Sequence, residues 1–288
     1  MRVFPAWAEE LGLPTRTLQG HDLPLDAPPS VYRDIIGVIR DDPRYRGALV
    51  TTHKMAVFRH ARDLFDDLDE LALLFGEISS VARRGDRLTG AAKDPVTVRL
   101  ALDEFVPADH FATSGGAALV LGSGGAGCAL TYALGRRSDV PAAIICTALE
   151  AGPLDHQREL HARAGIYPDR LRYVVTSSTD DVDALLSGLP PGSLVVNATG
   201  MGKDRPGSPV GAAPRFPRGG LVWDFNYRGS LEFLAQARGQ RAERRLHVED
   251  GWRYFVHGWA SVIADVFEVP MPPAQVARLA AVAEQVRR

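Results

Sequence analysis

The stretch that most limits how this chain can fold runs from Ala117 to Gly135, AALVLGSGGAGCALTYALG, where an apolar run meets a glycine-rich turn and then a small-residue helix. Gly122, Gly124 and Gly127 form G-x-G-x-x-G in the order strand, turn, helix that gives the pattern its meaning. Gly122 lets the chain leave the strand sharply, Gly124 lets backbone approach a pyrophosphate, and Gly127 lets the helix settle close on the sheet. The first amides of that helix then face the anion. Gly122, Ser123, Gly124, Gly125, Ala126 and Gly127 are therefore read as a dinucleotide cradle. A strand-to-helix turn that binds nothing has the same bare spacing, but the Leu-Val-Leu run before it and Cys128 to Leu134 after it favour the dinucleotide.

A turn of this kind belongs to a parallel sheet, and the residues after it alternate as such a sheet requires. Strands are expected at 142–146, 172–175, 193–197, 220–225 and 245–248, with helices at 154–164, 180–186 and 231–238 between them. Ahead of the turn, helices are expected at 1–13, at 30–40 with Ser30 as its cap, at 69–75 and from Pro95 to 105. Strands are expected there at 15–19, 47–51, 77–82 and 87–91. Helices at 252–269 and 274–286 close the chain, the first packing back on the N-terminal half. At 288 residues the chain exceeds the usual size of one hydrophobic core, so two domains are expected. The fold class is α/β: a Rossmann-like doubly wound sheet over 105–250 binds the dinucleotide, and residues 1–104 with 251–288 form a smaller α/β substrate-binding domain.

Composition narrows the function. A formal net charge of -2 gives no general pull toward nucleic acid or membrane, and no apolar run is long enough to cross a bilayer. Cys128 and Cys146 read as reduced core residues of a cytoplasmic protein, and the N-terminus lacks a signal-peptide pattern. The expected partner is a small-molecule substrate, on a monomer or homodimer. Of 33 basic residues only Lys54, Lys93 and Lys203 are lysine. Under so strong an arginine bias, a retained lysine marks a place that needs an ammonium able to give up its proton, which guanidinium does not do. The two asparagines, Asn197 and Asn226, are similarly scarce.

Ligands of open parallel sheets bind beyond the carboxyl ends of the strands, so the residues just after each strand carry the argument. Four such ends are unusual: Val50-Thr51-Thr52-His53-Lys54, Gly90-Ala91-Ala92-Lys93-Asp94, Asn197-Ala198-Thr199-Gly200-Met201-Gly202, and Asp224-Phe225-Asn226-Tyr227. With the glycine turn, their order and spacing resemble the shikimate/quinate dehydrogenase family over nearly the whole chain. The resemblance implies that Lys54, at the end of the family's Val-Thr-x-Pro-x-Lys segment, is the catalytic lysine. It likewise makes Asp94, in the Gly-x-Asn-Thr-Asp segment, the partner carboxylate. It further implies that Thr51 and Tyr227 join them at the substrate, and that Asn197, Ala198, Thr199, Gly200, Met201 and Tyr227 serve the cofactor. The chemistry agrees, because hydride transfer at an alcohol carbon needs a group to move the hydroxyl proton, and a lysine beside a carboxylate can be both held and tuned. His53 reads as a cap or structural hydrogen-bond partner. Lys93, at the family's threonine position, either contacts a substrate anion or faces solvent.

The departures are as informative. The lysine segment is one residue short and lacks its proline, Ala92 replaces an asparagine, and Gly258 stands where the family has a substrate-binding glutamine. The family's Ser-x-Ser falls upstream of Met1, so either the chain starts late or that carboxylate recognition is absent. The cofactor is NAD or NADP. The strand end Cys146-Thr147-Ala148 has no arginine to meet a 2′-phosphate, and Glu150 is close by, which points to NAD. No metal is expected, since the eight histidines do not cluster with ligand spacing. The expected function is an NAD(P)-dependent alcohol/ketone dehydrogenase acting on a small cyclic polyol or ketone other than shikimate. Trp252, Tyr254 and Trp259 supply either an apolar substrate wall or helix core. The rivals are a dinucleotide-binding sensor without turnover and a non-redox enzyme using the same lysine on a cyclic polyol.

Overall fold

Apolar spacing sets the first elements of the computed structural model, which describes residues 3–24, 26–203 and 205–287. Helix α1 (Val3–Glu10) turns Phe4, Trp7 and Ala8 inward, and α2 (Pro29–Asp41) buries Tyr32, Ile36 and Ile39 at i, i+4 and i+7. There follow β1 (Gly47–Leu49), α3 (Lys54–Ala61), β2 (Asp67–Leu68), α4 (Glu70–Phe75), β3 (Ser80–Arg84) and β4 (Arg87–Ala91). These strands form one sheet in the order β1-β3-β4-β2, antiparallel except where β2 lies parallel to β4. Its core is Tyr32, Ile36, Ile39, Val57, Ile78, Val81 and Leu88.

The alternation after the glycine turn produces α5 (Asp94–Asp103), α6 (His110–Ser114), β5 (Ala118–Leu121), α7 (Gly125–Gly135), β6 (Ile144–Ala148), α8 (Ala151–Arg163) and β7 (Leu171–Val175). It continues through α9 (Thr179–Ser187), β8 (Leu194–Asn197), β9 (Leu221–Asp224), α10 (Glu232–Gly239), α11 (Arg241–Arg244) and β10 (His247–Glu249). The last two helices are α12 (Trp252–Phe267) and α13 (Pro273–Arg287). The six strands β5 to β10 pair in parallel throughout, in the order β10-β9-β8-β5-β6-β7. The helices cover an apolar core that includes Leu119, Val195, Phe216, Val222 and Phe233.

One compact unit runs from Asp94 to Phe255, and the other takes in the chain on either side of it. The sequence pattern puts these boundaries near 104/105 and 250/251. They fall at 93/94 and 255/256 because α5 packs on α7 and the first turn of α12 packs its rings on Tyr227. Within the other unit, Trp259 of α12 lies 6.1 Å from Trp7 and 6.3 Å from Phe4, ring centre to ring centre. Asp265 accepts a hydrogen bond of 2.7 Å from Ser80 Oγ.

Three local expectations are corrected. Residues 15–19 form no strand: the Thr17 amide bonds to the hydroxyl of Thr15 at 3.1 Å, a local bond that competes with a ladder. Ser30 does not cap α2, which starts at Pro29 with Pro28 in the cap position, since a proline presets the helical φ at the first turn. The last parallel strand starts at His247 rather than 245, because Arg245 takes a left-handed conformation (φ 55°) that closes α11.

Candidate active site

With β5 as its first strand, the six-stranded sheet runs 3-2-1-4-5-6, and its order reverses between β5 and β8. That reversal opens the crevice in which such sheets bind ligands. Register sets Leu121 beside Thr147 on one side and Asn197 on the other, and Asn197 beside Asp224. The glycine turn and the 197–202 loop thus leave adjacent strands at the reversal. Gly122 has φ 103°, and a Cβ there would lie 2.8 Å from the Ala198 carbonyl oxygen; one on Gly127 would lie 2.0 Å from that of Gly122. Gly124 faces open space and is exposed. Two glycines therefore let segments touch, while the third leaves room for a bound group above the start of α7. Gly125 and Ala126, half-buried in the first turn, belong to the part of the helix whose amides have no partner within it. Ser123 is buried and donates its hydroxyl to Thr147 O at 3.0 Å, so its side chain braces the turn.

The loop after β8 is built on its two neighbouring asparagines. Asn197 Oδ1 accepts from the amide and hydroxyl of Thr199, at 3.1 and 2.7 Å, and Thr199 Oγ1 accepts from the Met201 amide at 3.1 Å. The Met201 carbonyl accepts from Asn197 Nδ2 at 3.2 Å and Asn226 Nδ2 at 2.8 Å. Ala198 bonds its amide to Leu121 O, and Gly200 turns with φ 77°. Under this loop Asp224 is fully buried; its Oδ1 accepts from Asn197 Nδ2 at 3.1 Å and the Asn226 amide at 2.9 Å. Its Oδ2 is buried without a hydrogen-bond partner. Burial pushes the Asp224 carboxyl up to about 6, against the pull of the two asparagines. Tyr227, next along, packs its ring on Phe255 (4.6 Å) and Trp252 (5.7 Å).

The lysine segment lies in the other unit. β1 and β4 both pair antiparallel with β3, so their carboxyl ends lie at the same end of the sheet, where the exposed Thr51 leads to Lys54 at the start of α3 and Ala92 leads to Lys93. Ser79 joins the two loops: its carbonyl accepts from the Val50 amide, its amide donates to Ala91 O, and its hydroxyl accepts from the Lys93 amide at 2.7 Å. The Ile78 amide holds Lys54 O at 3.1 Å. His53 Nε2 faces the Leu23 carbonyl at 3.1 Å and must donate to it, which leaves Nδ1 to accept from the Tyr32 hydroxyl at 3.1 Å. It is a structural partner of the loop. The Lys93 ammonium does not simply face solvent, for it pairs with Asp265 at 3.4 Å beside Arg84 and Ser80. Ala92 is fully buried in the core, and a Cβ at Gly258 would meet nothing within 4 Å.

Asp94 opens α5 in the unit that carries the glycine turn, and it is buried; Lys54 belongs to the other unit. All three aromatic residues near Gly258 pack on other rings: Trp259 against Phe4 and Trp7, Tyr254 against Trp223 and Phe225, and the buried Trp252 against Tyr227 and Phe255. Sequence reasoning missed Ser79 and the buried role of Asp224, although the scarcity of asparagine had marked Asn197 and Asn226. Among the described residues no group of three or more His, Cys, Asp or Glu is placed to hold a metal, and no helix is long and apolar enough to cross a membrane. A cavity of about 410 Å³ lined by Glu104, Phe105, Trp223, Asp250 and Arg253 includes none of the residues singled out from sequence.

Comparison with known proteins agrees with this geometry. The chain is 30% identical over 240 residues to the NADP(+)-dependent shikimate dehydrogenase of Sphingopyxis alaskensis, covering 81% of this chain and 75% of that protein. It is 31% identical over 177 residues to the NADP(+)-dependent shikimate dehydrogenase of Streptococcus gordonii, covering 61% of this chain and 58% of that one. Quinate dehydrogenase from Corynebacterium glutamicum, solved in complex with NAD, shares the fold at a TM-score of 0.71 and 17% identity, over 99% of this chain and 94% of that one. No family model matches the chain.

Proposed function

The chain belongs to the shikimate dehydrogenase family, and from that premise we propose that it is an NAD(P)-dependent dehydrogenase that interconverts an alcohol and a ketone on a small cyclic polyol. The observation that carries this reading is the open backbone over Gly124, set beside the Asn197 loop at the point where the sheet order reverses. There the amides of Gly125 to Gly127 would hold the pyrophosphate, and the 197–202 loop would hold the nicotinamide end. The dinucleotide supplies the acceptor or donor of the hydride. Lys54 takes the proton from the substrate hydroxyl through its neutral amine when the alcohol is oxidised, and returns it to the carbonyl oxygen in reduction. Asp94 steadies the ammonium form, and Thr51 and Tyr227 orient the ring.

Two finer points belong to this reading. Ala92 and Gly258 supply no amide side chains where the family resemblance implies them, and a site that loses such partners loses its preference for the ligand that used them. Shikimate is therefore a poor substrate, and a differently substituted cyclic polyol or ketone is the better one. At the end of β6 no arginine stands between Cys146 and Glu150, and Arg158 further along α8 is held over Tyr173 and by Asp155. This favours NAD, although both curated relatives are named for NADP(+). Thermal shift with NAD, NADP and their reduced forms tests the cofactor, since a ligand that binds only the native state raises its stability. Steady-state assays with shikimate, quinate and other cyclic polyols test the substrate. Lys54→Arg keeps the charge but gives up the usable proton, so turnover should fall about 100-fold or more while dinucleotide affinity stays. Wild-type protein that binds no dinucleotide at millimolar concentration defeats the reading.

A further inference from the structure

Met201 is tied at both ends of its peptide unit, the amide by Thr199 and the carbonyl by two carboxamides. Both carboxamide residues converge on one atom, Oδ1 of Asp224, and the other oxygen of that carboxylate is buried and unmatched. A buried acid without a partner on one oxygen is costly to keep, and nothing about the β9 ladder requires it, because the strand pairs through its backbone. What the carboxylate does is hold the side chain of Asn197 and the backbone amide of Asn226, which come from different strand ends, so that both carboxamides reach a single carbonyl. We infer that Asp224 is a positioning residue for the dinucleotide, setting the Met201 peptide through Asn197 and Asn226 and so the affinity of the 197–202 loop for the nicotinamide end. This rests on the dehydrogenase reading above.

The ionised carboxylate holds the two donors more strongly than the neutral acid, since hydrogen bonds to a charged group are the stronger kind. Asp224 is poised near pH 6, and the facing charge is Asp250 between β10 and α12, which disfavours ionisation; Asn197 and Asn226 favour it. The Met201 loop should accordingly hold the dinucleotide more tightly as pH rises through that range.

Calorimetric titration of NAD and of NADP into the full chain from pH 5 to 8 tests this. Asp224 should tighten wild-type affinity about 5-fold across pH 6, and Asp224→Asn should lack that step and resemble the wild type at low pH. The 2′-phosphate of NADP and the other groups of the protein titrate alike in both proteins, so the difference between the two profiles isolates Asp224. Asn226→Ala, which leaves Asp224 in place but removes the 2.8 Å tether on Met201, should weaken binding by about the same factor and shrink the pH step. It carries the test if Asp224→Asn does not fold. Wild-type binding with variants that keep its affinity and its pH step overturns the positioning role alone. Wild-type protein that binds neither dinucleotide overturns the dehydrogenase reading and this inference with it.

Discussion

Two buried polar clusters lie in the same unit and are built differently. One is Asn197, Asp224 and Asn226 at the strand carboxyl ends. The other lies between α7, α8 and β7, where Thr131 Oγ1 meets His161 Nε2 at 2.9 Å, His161 Nδ1 meets the Tyr173 hydroxyl at 2.7 Å, and Gln157 Nε2 donates to Thr131 at 2.8 Å. In the second cluster the titratable group has both its nitrogens matched, and the unmatched atom is the neutral Gln157 Oε1. In the first, the unmatched atom belongs to the titratable group itself. Burial holds the His161 imidazole down at about 4 and the Asp224 carboxyl up at about 6, so each favours its neutral form. The difference separates polar groups that fasten helices together from one left partly unmatched beneath the 197–202 loop.

Removing the helix cluster should have the largest effect on stability. His161→Leu removes the hydrogen bonds that Thr131 and Tyr173 make to the imidazole and should cost about 3 kcal/mol in urea unfolding near neutral pH, with dinucleotide affinity within about twofold of wild type. The pH dependence gives the mechanism. An imidazole at about 4 when folded and 6.5 when unfolded binds fewer protons folded, so the stability it confers is present above pH 6.5 and lost as pH falls toward 4. The span corresponds to about 3 kcal/mol. The gap between His161→Leu and wild type should therefore close in acid; a constant gap would mean that His161 acts through packing alone.

Asp224 should tilt stability the other way. Its folded value of about 6 against 3.8 unfolded means that it binds more protons folded, so its contribution is fully present below pH 3.8 and lost as pH rises through 6. Asp224→Asn has nothing to titrate and should gain on wild type by about 2 kcal/mol from pH 4 to pH 7, on top of any constant offset from its own buried amide. Denaturant midpoints at a series of pH values would check it, and parallel profiles for the two proteins would rule it out. The smallest change is Tyr173→Phe, which removes one hydroxyl from His161 and should cost about 1 kcal/mol without altering dinucleotide affinity. A binding defect in that variant would erase the distinction between the two clusters.

The glycine turn was legible because its requirements are local: Gly122 and Gly127 must lack a Cβ wherever a strand passes straight into a helix against the next strand. The alternation of strands and helices was legible for the same reason, since each apolar run answers to its own period. Boundaries were harder. Arg245 closes α11 in a left-handed conformation and Pro28 takes the cap position of α2, and the apolar period marks neither. Lys93 was beyond reach from sequence, because its partner Asp265 comes from the far end of the chain.

The sequence by itself determined an α/β chain with a glycine-rich strand-to-helix turn near its middle and lysines and asparagines at strand ends, because those features depend on neighbours a few residues apart. Only the tertiary structure decided which of those residues are spent on holding the fold. It brought Asn197 and Asn226 onto one carbonyl over Asp224, turned Lys93 to Asp265 and Ser123 to Thr147, and put Ser79 between two loops. The physical reason is that a side-chain hydrogen bond is satisfied by whatever donor or acceptor the sheet register brings within about 3 Å, and register joins segments that are distant in the chain.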